Sequence, residues 1–287
     1  SKKRKQRIVR ISGFANHKIV PGPKKGLSKD CSLDKTQFSK AAGMSRSMLY
    51  YHHRQPDKDW ILKQQIELTL REFPSYGHKR IAIHLKFNKK RVLRVMKLFG
   101  IKPYRRRGAK WKKVNKEYQT QFPNLLLAEI PRYPNHIWAS DFTYIKFKKQ
   151  TVYLATVLDL FTKEVVGFSV LLNHSSSLVM NALLSAVHTH PAPEIAHSDQ
   201  GSEYASKDYI ALETNLGINP SMSEKGCPWE NGYQESFYSQ FKVDLGDPNR
   251  FNHLGELVWE IYKTIHKYNN TRIQSSLKMP PAEFAKK

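Results

Sequence analysis

Cysteine is nearly missing from this 287-residue chain: Cys31 and Cys227 are the only two, far apart and without the paired spacing of a zinc site. That excludes a disulfide framework, and both thiols are expected to be reduced, as in a cytoplasmic protein. Long apolar runs are missing too. No stretch approaches the roughly 20 residues that span a bilayer, so no membrane partner is expected. The opening SKKRKQR is basic but no apolar segment follows it, unlike a secretory signal, and the Ser at position 1 is what a processed or truncated chain would show. Acid is scarce in the first half: residues 1–133 hold 8 acidic against 34 basic residues, whereas 134–287 hold 16 against 14.

The two halves are therefore electrostatically different objects within a chain of net charge +24. A surplus of this size repels itself without a polyanion, and it predicts tight, salt-sensitive binding of nucleic acid. Composition alone leaves both DNA and RNA open. With 40% hydrophobic and 25% charged residues the chain is globular in type, and its length allows two or three modest domains.

The pattern along the chain divides it. Residues 1–34 mix basic residues with Gly and Pro and read as an extended basic arm. Residues 35–57 outline a helix-turn-helix, with a turn at Gly43 and a second helix opened by Ser45 as N-cap. Residues 58–107 read as a helical DNA-binding domain: Leu62, Ile66, Leu70 and Phe73 recur at helical spacing, Tyr76-Gly77 breaks the pattern, and Ile81 and Leu85 begin again. Asn88 then caps a helix that places Lys89, Lys90 and Arg91 at its start, suited to DNA contact, with Val92, Val95, Met96 and Leu98 packing inward. The same spacing would also serve a solvated basic face. Residues 108–133 read as a basic linker; with Arg105, Arg106 and Arg107 just before it, the segment could track phosphates.

From residue 134 the period changes to that of strands. HIWASDFTYIKF, TVYLATVLDLFT and EVVGFSVLL predict three antiparallel strands, followed by a helix from Ser175, a strand at EIAHSD, a helix from Lys207, a strand to Met222 and a helix from Glu230. The order βββαβαβα predicts an α/β domain with a mixed five-stranded sheet at 134–250. A further helix and tail occupy 251–287.

Three acids stand where chemistry would want them. Asp141 lies within the first strand, where a carboxylate is costly unless paired. Asp199 ends the fourth strand, where ligand-gathering loops begin. Glu235 lies on the helix that begins near Trp229, after the fifth strand, with 35 residues between it and Asp199. If the first and fourth strands are neighbours, the three can share a cleft. Carboxylate oxygens suit Mg²⁺, and an open cluster of three can hold two ions that activate a nucleophile and stabilise a leaving oxygen. Lys242, two helical turns beyond Glu235, would set a cation beside them to meet a phosphate.

WASDFTY, HSDQGSEY and ENGYQESFYSQFK resemble the motifs of the insertion sequence three family of transposases and of retroviral integrases. YGHKRIAIHL with NKKRVLRVMK resembles the helix-turn-helix that precedes the core in those transposases, and YNNTRIQSSLKMPPAEF their tail pattern. The resemblance implies a ribonuclease H-like integrase core with Asp141, Asp199 and Glu235 as catalytic metal ligands, Mg²⁺ (two ions, Mn²⁺ substituting) as cofactor, and Lys242 on DNA near the reacting phosphate. It gives Asn231 a supporting, DNA-facing role, makes His197 and Gly201 shapers of the turn at Asp199, and puts Arg272, with Tyr268 and Asn269, in a tail motif of support or DNA contact. Gln274 stands where the family usually has His, so no acid–base role rests there. Glu203 is expected to face solvent and Asp159 to form a turn. No zinc is expected.

The implied activity is transposition: binding of double-stranded DNA at terminal inverted repeats, Mg²⁺-dependent strand cleavage, and transfer of the freed 3′-OH to target DNA, by a homo-oligomer bridging two ends in the bacterial cytoplasm, on the nucleoid. A ribonuclease H-like nuclease on RNA–DNA hybrids and an inactive DNA-binding protein remain the alternatives.

Overall fold

A computed structural model describes residues 34–41, 43, 45–50, 55–104, 121–224 and 231–287. Nearly all of the basic arm, Arg105, Arg106 and Arg107, the first half of the 108–133 linker and both cysteines lie outside the described residues. The chain forms two compact units, 1–59 and 60–287.

In the first unit, α1 (Lys35–Ala41) is followed by a short 3₁₀ helix at Arg46–Tyr50. The second helix expected from Ser45 is thus one tight turn, and the Ser45 hydroxyl lies 2.9 Å from Ser47 Oγ rather than on a backbone N–H.

The second unit takes up most of α2 (Gln55–Glu72), which packs with α3 (His78–His84) and α4 (Lys89–Leu98) around Leu62, Ile66, Phe73, Ile81, Val92 and Val95. Asn88 Oδ1 accepts from the Lys90 N–H at 2.8 Å, the expected cap. Leu98, expected inside, is 51% exposed. Six residues past Val92 is about 240° around the axis, so it leaves the inward stripe. The tail completes this core: Ile273 is buried in it, and its N–H donates to Tyr76 Oη at 2.7 Å.

The larger part is the mixed sheet. β1 (Ile137–Phe147), β2 (Gln150–Asp159) and β3 (Val165–Leu171) form an antiparallel meander; α5 (Ser176–Thr189), β4 (Ile195–Ser198), α6 (Lys207–Asn215), β5 (Asn219–Met222) and α7 (Gly232–Leu245) follow. The strand order β3-β2-β1-β4-β5 makes β1 antiparallel to β2 and parallel to β4, the ribonuclease H-like arrangement. Alternation along the strands sorts side chains to two faces. Trp138 and Val157 meet Leu178, Ala182 and Leu183 of α5 on one face. Ile137, Ala139 and Leu154 meet Phe237 and Phe241 of α7, with Leu257 and Ile261 of α8 (Leu254–Asn270), on the other. β3 can lie this close to α5 because Gly167 lacks a side chain: a Cβ there would fall 2.4 Å from the Ala182 carbonyl oxygen.

Part of residues 121–133, expected as the end of a linker, packs on the sheet, while Leu127 and Ile130 stay exposed. The Leu125 N–H donates to Ser221 Oγ of β5 at 2.9 Å, and Leu125 and Leu126 pack on the sheet, because apolar side chains this large are more stable covered than strung along a tether. The tail ends in the single turn α9 (Pro281–Phe284). Among the described residues no helix is long and apolar enough to cross a membrane.

Candidate active site

Asp141 and Asp199 owe their placement to one register. Ala139 pairs with His197 across the parallel β1 and β4, and each aspartate lies two residues further along its own chain. Two residues is one strand period, so Asp141 stays on the face of Ala139, the face that α7 covers. The Asp141 carboxylate accepts from the Phe142 N–H at 2.7 Å, and Asp199 Oδ1 from the Gly201 N–H at 3.0 Å. A Cβ at position 201 would fall 2.9 Å from that Asp199 oxygen, so Gly201 leaves room for the turn to close.

Both carboxyls are perturbed. Burial, then the negative charge of Asp199, pushes Asp141 up to about 7, with Glu235 adding to the rise while the Phe142 N–H and Lys242 oppose it. Burial raises Asp199 as well, with Glu203 adding to it. Charge at all three acids is thus felt within one site.

The helix α7 is fixed by residues whose importance the sequence reading missed. Gln234, fully buried, donates from Nε2 to the Ala139 carbonyl at 2.5 Å and to the Thr156 carbonyl at 3.2 Å, and its Oε1 accepts from Thr156 Oγ1 at 3.1 Å. One turn on, Tyr238 Oη donates to the main-chain oxygen of Asp141 at 2.5 Å and lies 2.8 Å from Thr156 Oγ1. Gln234, Phe237, Tyr238, Phe241 and Leu245 form the buried stripe. Glu235, beside that stripe in the first turn, is exposed at the rim. Lys242, also at the rim, donates to Thr143 Oγ1 at 2.5 Å and sits 5.2 Å from the centre of the Tyr144 ring. The readable signal is an amide in phase with a buried aromatic stripe, since such a group must find partners inside.

Among the described residues no three His, Cys, Asp or Glu side chains come together closely enough to hold a metal ion. The charges of Asp199 and Glu235 nevertheless reach Asp141. The donor set nonetheless fits a hard divalent cation: all oxygen, open to solvent at Glu235, and carrying at Asp141 the repulsion that such a cation relieves.

Several expectations change. Glu203 is buried rather than turned to solvent, 8% exposed, with His174 Nδ1 at 2.7 Å and Ser202 Oγ at 3.0 Å. Burial alone would raise its carboxyl; the His174 bond and others outweigh it and lower the value. Asn231 is buried, and its Oδ1 has no partner among the described residues. Arg272 is no DNA contact. Its guanidinium is 0% exposed, paired with Asp244 of α7 and bonded to Gln240 Oε1 at 3.0 Å and Ser75 Oγ at 2.7 Å, because a buried cation must spend its donors internally. Asn269 serves support: its Nδ2 donates to the Val165 carbonyl and its Oδ1 accepts from the Val165 N–H.

The remaining residues are placed as follows. Asp159 holds its turn through the N–H groups of Asn135 and Phe161 and the Thr162 hydroxyl. His197 is buried beneath Asp199, its Nδ1 2.9 Å from Ser221 Oγ, and burial lowers it to about 4, so it is neutral at physiological pH. Lys89 and Lys90 are exposed, whereas Arg91 is half-buried with its guanidinium 5.1 Å from the centre of the Phe87 ring.

The fold has relatives among known proteins. Two families described as integrase core domains match residues 131–228 and 216–281. The transposase for insertion sequence element IS904 of Lactococcus lactis is 35% identical over 258 residues, 82% of this chain and 98% of that protein. An uncharacterized 31 kDa protein of insertion element IS600 from Shigella sonnei is 31% identical over 261 residues, 85% of this chain and 96% of its own. In fold, the chain is similar to a chain of the simian T-cell lymphotropic virus intasome solved in complex with a PP2A regulatory subunit, with TM-score 0.50, 19% identity, and coverage of 76% of this chain and 74% of that one.

Proposed function

The chain belongs to the insertion sequence three family of transposases, built on an integrase core, and from that premise we propose that it cleaves DNA at the ends of its element and joins the freed 3′-OH to target DNA through Asp141, Asp199 and Glu235. It is a polynucleotidyl transferase of the DDE type. The observation that carries the site assignment is the register that sets Asp141 and Asp199 at the same step past Ala139 and His197, with the charge of Glu235 reaching Asp141.

In this reading the three carboxylates hold two Mg²⁺ ions, with Mn²⁺ able to replace them. When bound, such ions favour an ionised oxygen nucleophile and neutralise charge on the leaving oxygen. In the first step a water oxygen forms a bond to phosphorus as the bond to the bridging 3′ oxygen breaks, leaving a 3′-OH on the element and a 5′-phosphate on the flank. In the second, that 3′ oxygen forms a bond to a target phosphorus and releases the target's own 3′ oxygen, which takes up a proton. The nucleophile loses one proton in each step.

The residues around the acids have separate tasks. Gln234 and Tyr238 fix α7 to β1, so that Glu235 keeps its position relative to Asp141. Gly201 holds the Asp199 turn closed. Lys242 exchanges Thr143 for a phosphate oxygen of the bound strand, its charge staying at the rim of the site. The basic helical domain and the arm bind the terminal inverted repeats, with Lys89 and Lys90 on the duplex, in an oligomer that brings two ends together in the bacterial cytoplasm.

The test is a strand-transfer assay with a labelled element-end oligonucleotide carrying a free 3′-OH and Mg²⁺. Joined product from the wild type, none from Asp141→Asn, and equal end binding by both is the expected result. Cleavage of an RNA–DNA hybrid without any joining would overturn the reading.

A further inference from the structure

A groove of about 590 Å³ opens where α3, the start of α4 and the C-terminal tail come together. Five lysines line it from three separate stretches of sequence: Lys79 from α3, Lys86, Lys89 and Lys90 around the α4 entry, and Lys278 from the tail. Lys79, Lys86 and Lys278 are exposed, and no carboxylate pairs with any of the five among the described residues. Five ammonium groups gathered without acid are mutually repulsive. An anion that shares the space relieves that repulsion.

The tail is no loose strand here. Arg80 Nε donates to Ser275 Oγ at 3.0 Å, Ile273 is buried in the helical core, and Arg272 ties the same stretch to Asp244 and Gln240 on α7. The groove is therefore connected through a few residues to the helix that carries Glu235 and Lys242.

We propose that this lysine-lined groove, completed by Lys278 of the C-terminal tail, grips the phosphate backbone of duplex DNA, so that the tail is part of the end-binding surface and sets the bound duplex at a fixed distance from the acidic site. The proposal rests on the DNA-joining reading above. A duplex fits better than an acidic peptide, because ammonium groups on flexible stems around an apolar floor of Ile83 and Phe87 track a regular line of phosphates without needing any one side-chain shape.

Fluorescence anisotropy with a labelled element-end duplex, titrated at several salt concentrations, tests it on the full chain. For every phosphate that no longer meets an ammonium group, the slope of log K against log salt becomes shallower by about 0.9. The triple variant Lys79→Gln, Lys86→Gln, Lys278→Gln should flatten that slope by between about 2 and 3 and bind at least about tenfold more weakly at 0.2 M salt. Lys278→Gln alone should flatten it by about 1. A control triple of equal charge change on the sheet domain, Lys149→Gln, Lys207→Gln, Lys263→Gln, should flatten it less than the groove triple. All four proteins should melt alike, since the altered side chains are exposed. A groove triple indistinguishable from the control, or a silent Lys278→Gln, overturns the proposal while leaving the acidic site untouched. A wild type that binds no DNA overturns the DNA-joining reading as well.

Discussion

Gln234 Nε2 lies 2.5 Å from the carbonyl oxygen of Ala139, so the residue before Glu235 is bonded to the strand that carries Asp141 two positions later. The same amide also reaches Thr156 on β2. Glu235 itself touches none of these groups; it is positioned by its neighbour. Gln234→Leu should keep the helix, since Leu is an apolar fit for the stripe, but removes the amide donor from the buried carbonyl oxygens of Ala139 and Thr156. A stability loss of about 1–3 kcal/mol is expected from those lost bonds. Strand transfer should fall at least tenfold while end binding is retained; chemical denaturation beside the joining assay checks both.

Asp141 gives a pH prediction whose sign follows from its direction of shift. Its carboxyl is raised to about 7, so between the ordinary value near 4 and 7 the native state holds a proton that the unfolded chain has released. Stability conferred by that proton is present at acid pH, is lost as pH rises through this window, and changes no further above 7. Without metal, the wild type should therefore lose on the order of 3 kcal/mol between pH 4 and 8 relative to Asp141→Asn, whose curve is flatter in this range. Mg²⁺ at pH 8 should raise the melting temperature of the wild type and not that of the variant. Calorimetry across pH, with and without Mg²⁺, reads both.

Gly201 faces a different constraint. A methyl at this position would lie 2.9 Å from Asp199 Oδ1 and 3.3 Å from Glu203 Oε2, so the carboxylate has to move. Gly201→Ala should cost little stability, about 1 kcal/mol or less, because the turn is at the surface of the sheet end. Joining should nevertheless fall by tenfold or more. A variant with unchanged joining would mean that Asp199 need not sit where Gly201 allows it.

Much of this was legible in the sequence because local chemistry and fold agree. The strand alternation around Asp141, the cap at Asn88 and the apolar spacing of α2 each follow from neighbours within a few residues. What was not legible depended on contacts between distant segments. Arg272 looks like a surface cation in a polar tail, yet it is buried because Ser75, Gln240 and Asp244 converge on it from 28 or more residues away. Glu203 reads as a loop acid until His174, 29 residues before it, closes over its carboxylate. Gln234 shows the intermediate case: its helical phase was readable, its partners on β1 and β2 were not.

The buried pair makes its own prediction. The Asp244 carboxyl is raised by burial even with Arg272 beside it, so removing the guanidinium leaves a charge that cannot stay. Arg272→Met should destabilise the protein by about 3–5 kcal/mol, and adding Asp244→Asn should recover part of that loss. A double-mutant cycle by urea unfolding measures the coupling. Additive losses would mean that the two side chains act separately.

The central claim is that Asp141, Asp199 and Glu235 share divalent ions beside a bound DNA end. Anomalous scattering from a crystal of the protein with an element-end duplex and Mn²⁺ tests it in one measurement. The account predicts two Mn²⁺ peaks at the three carboxylates. Peaks elsewhere, or none between Asp141 and Asp199 while DNA is bound, would contradict it.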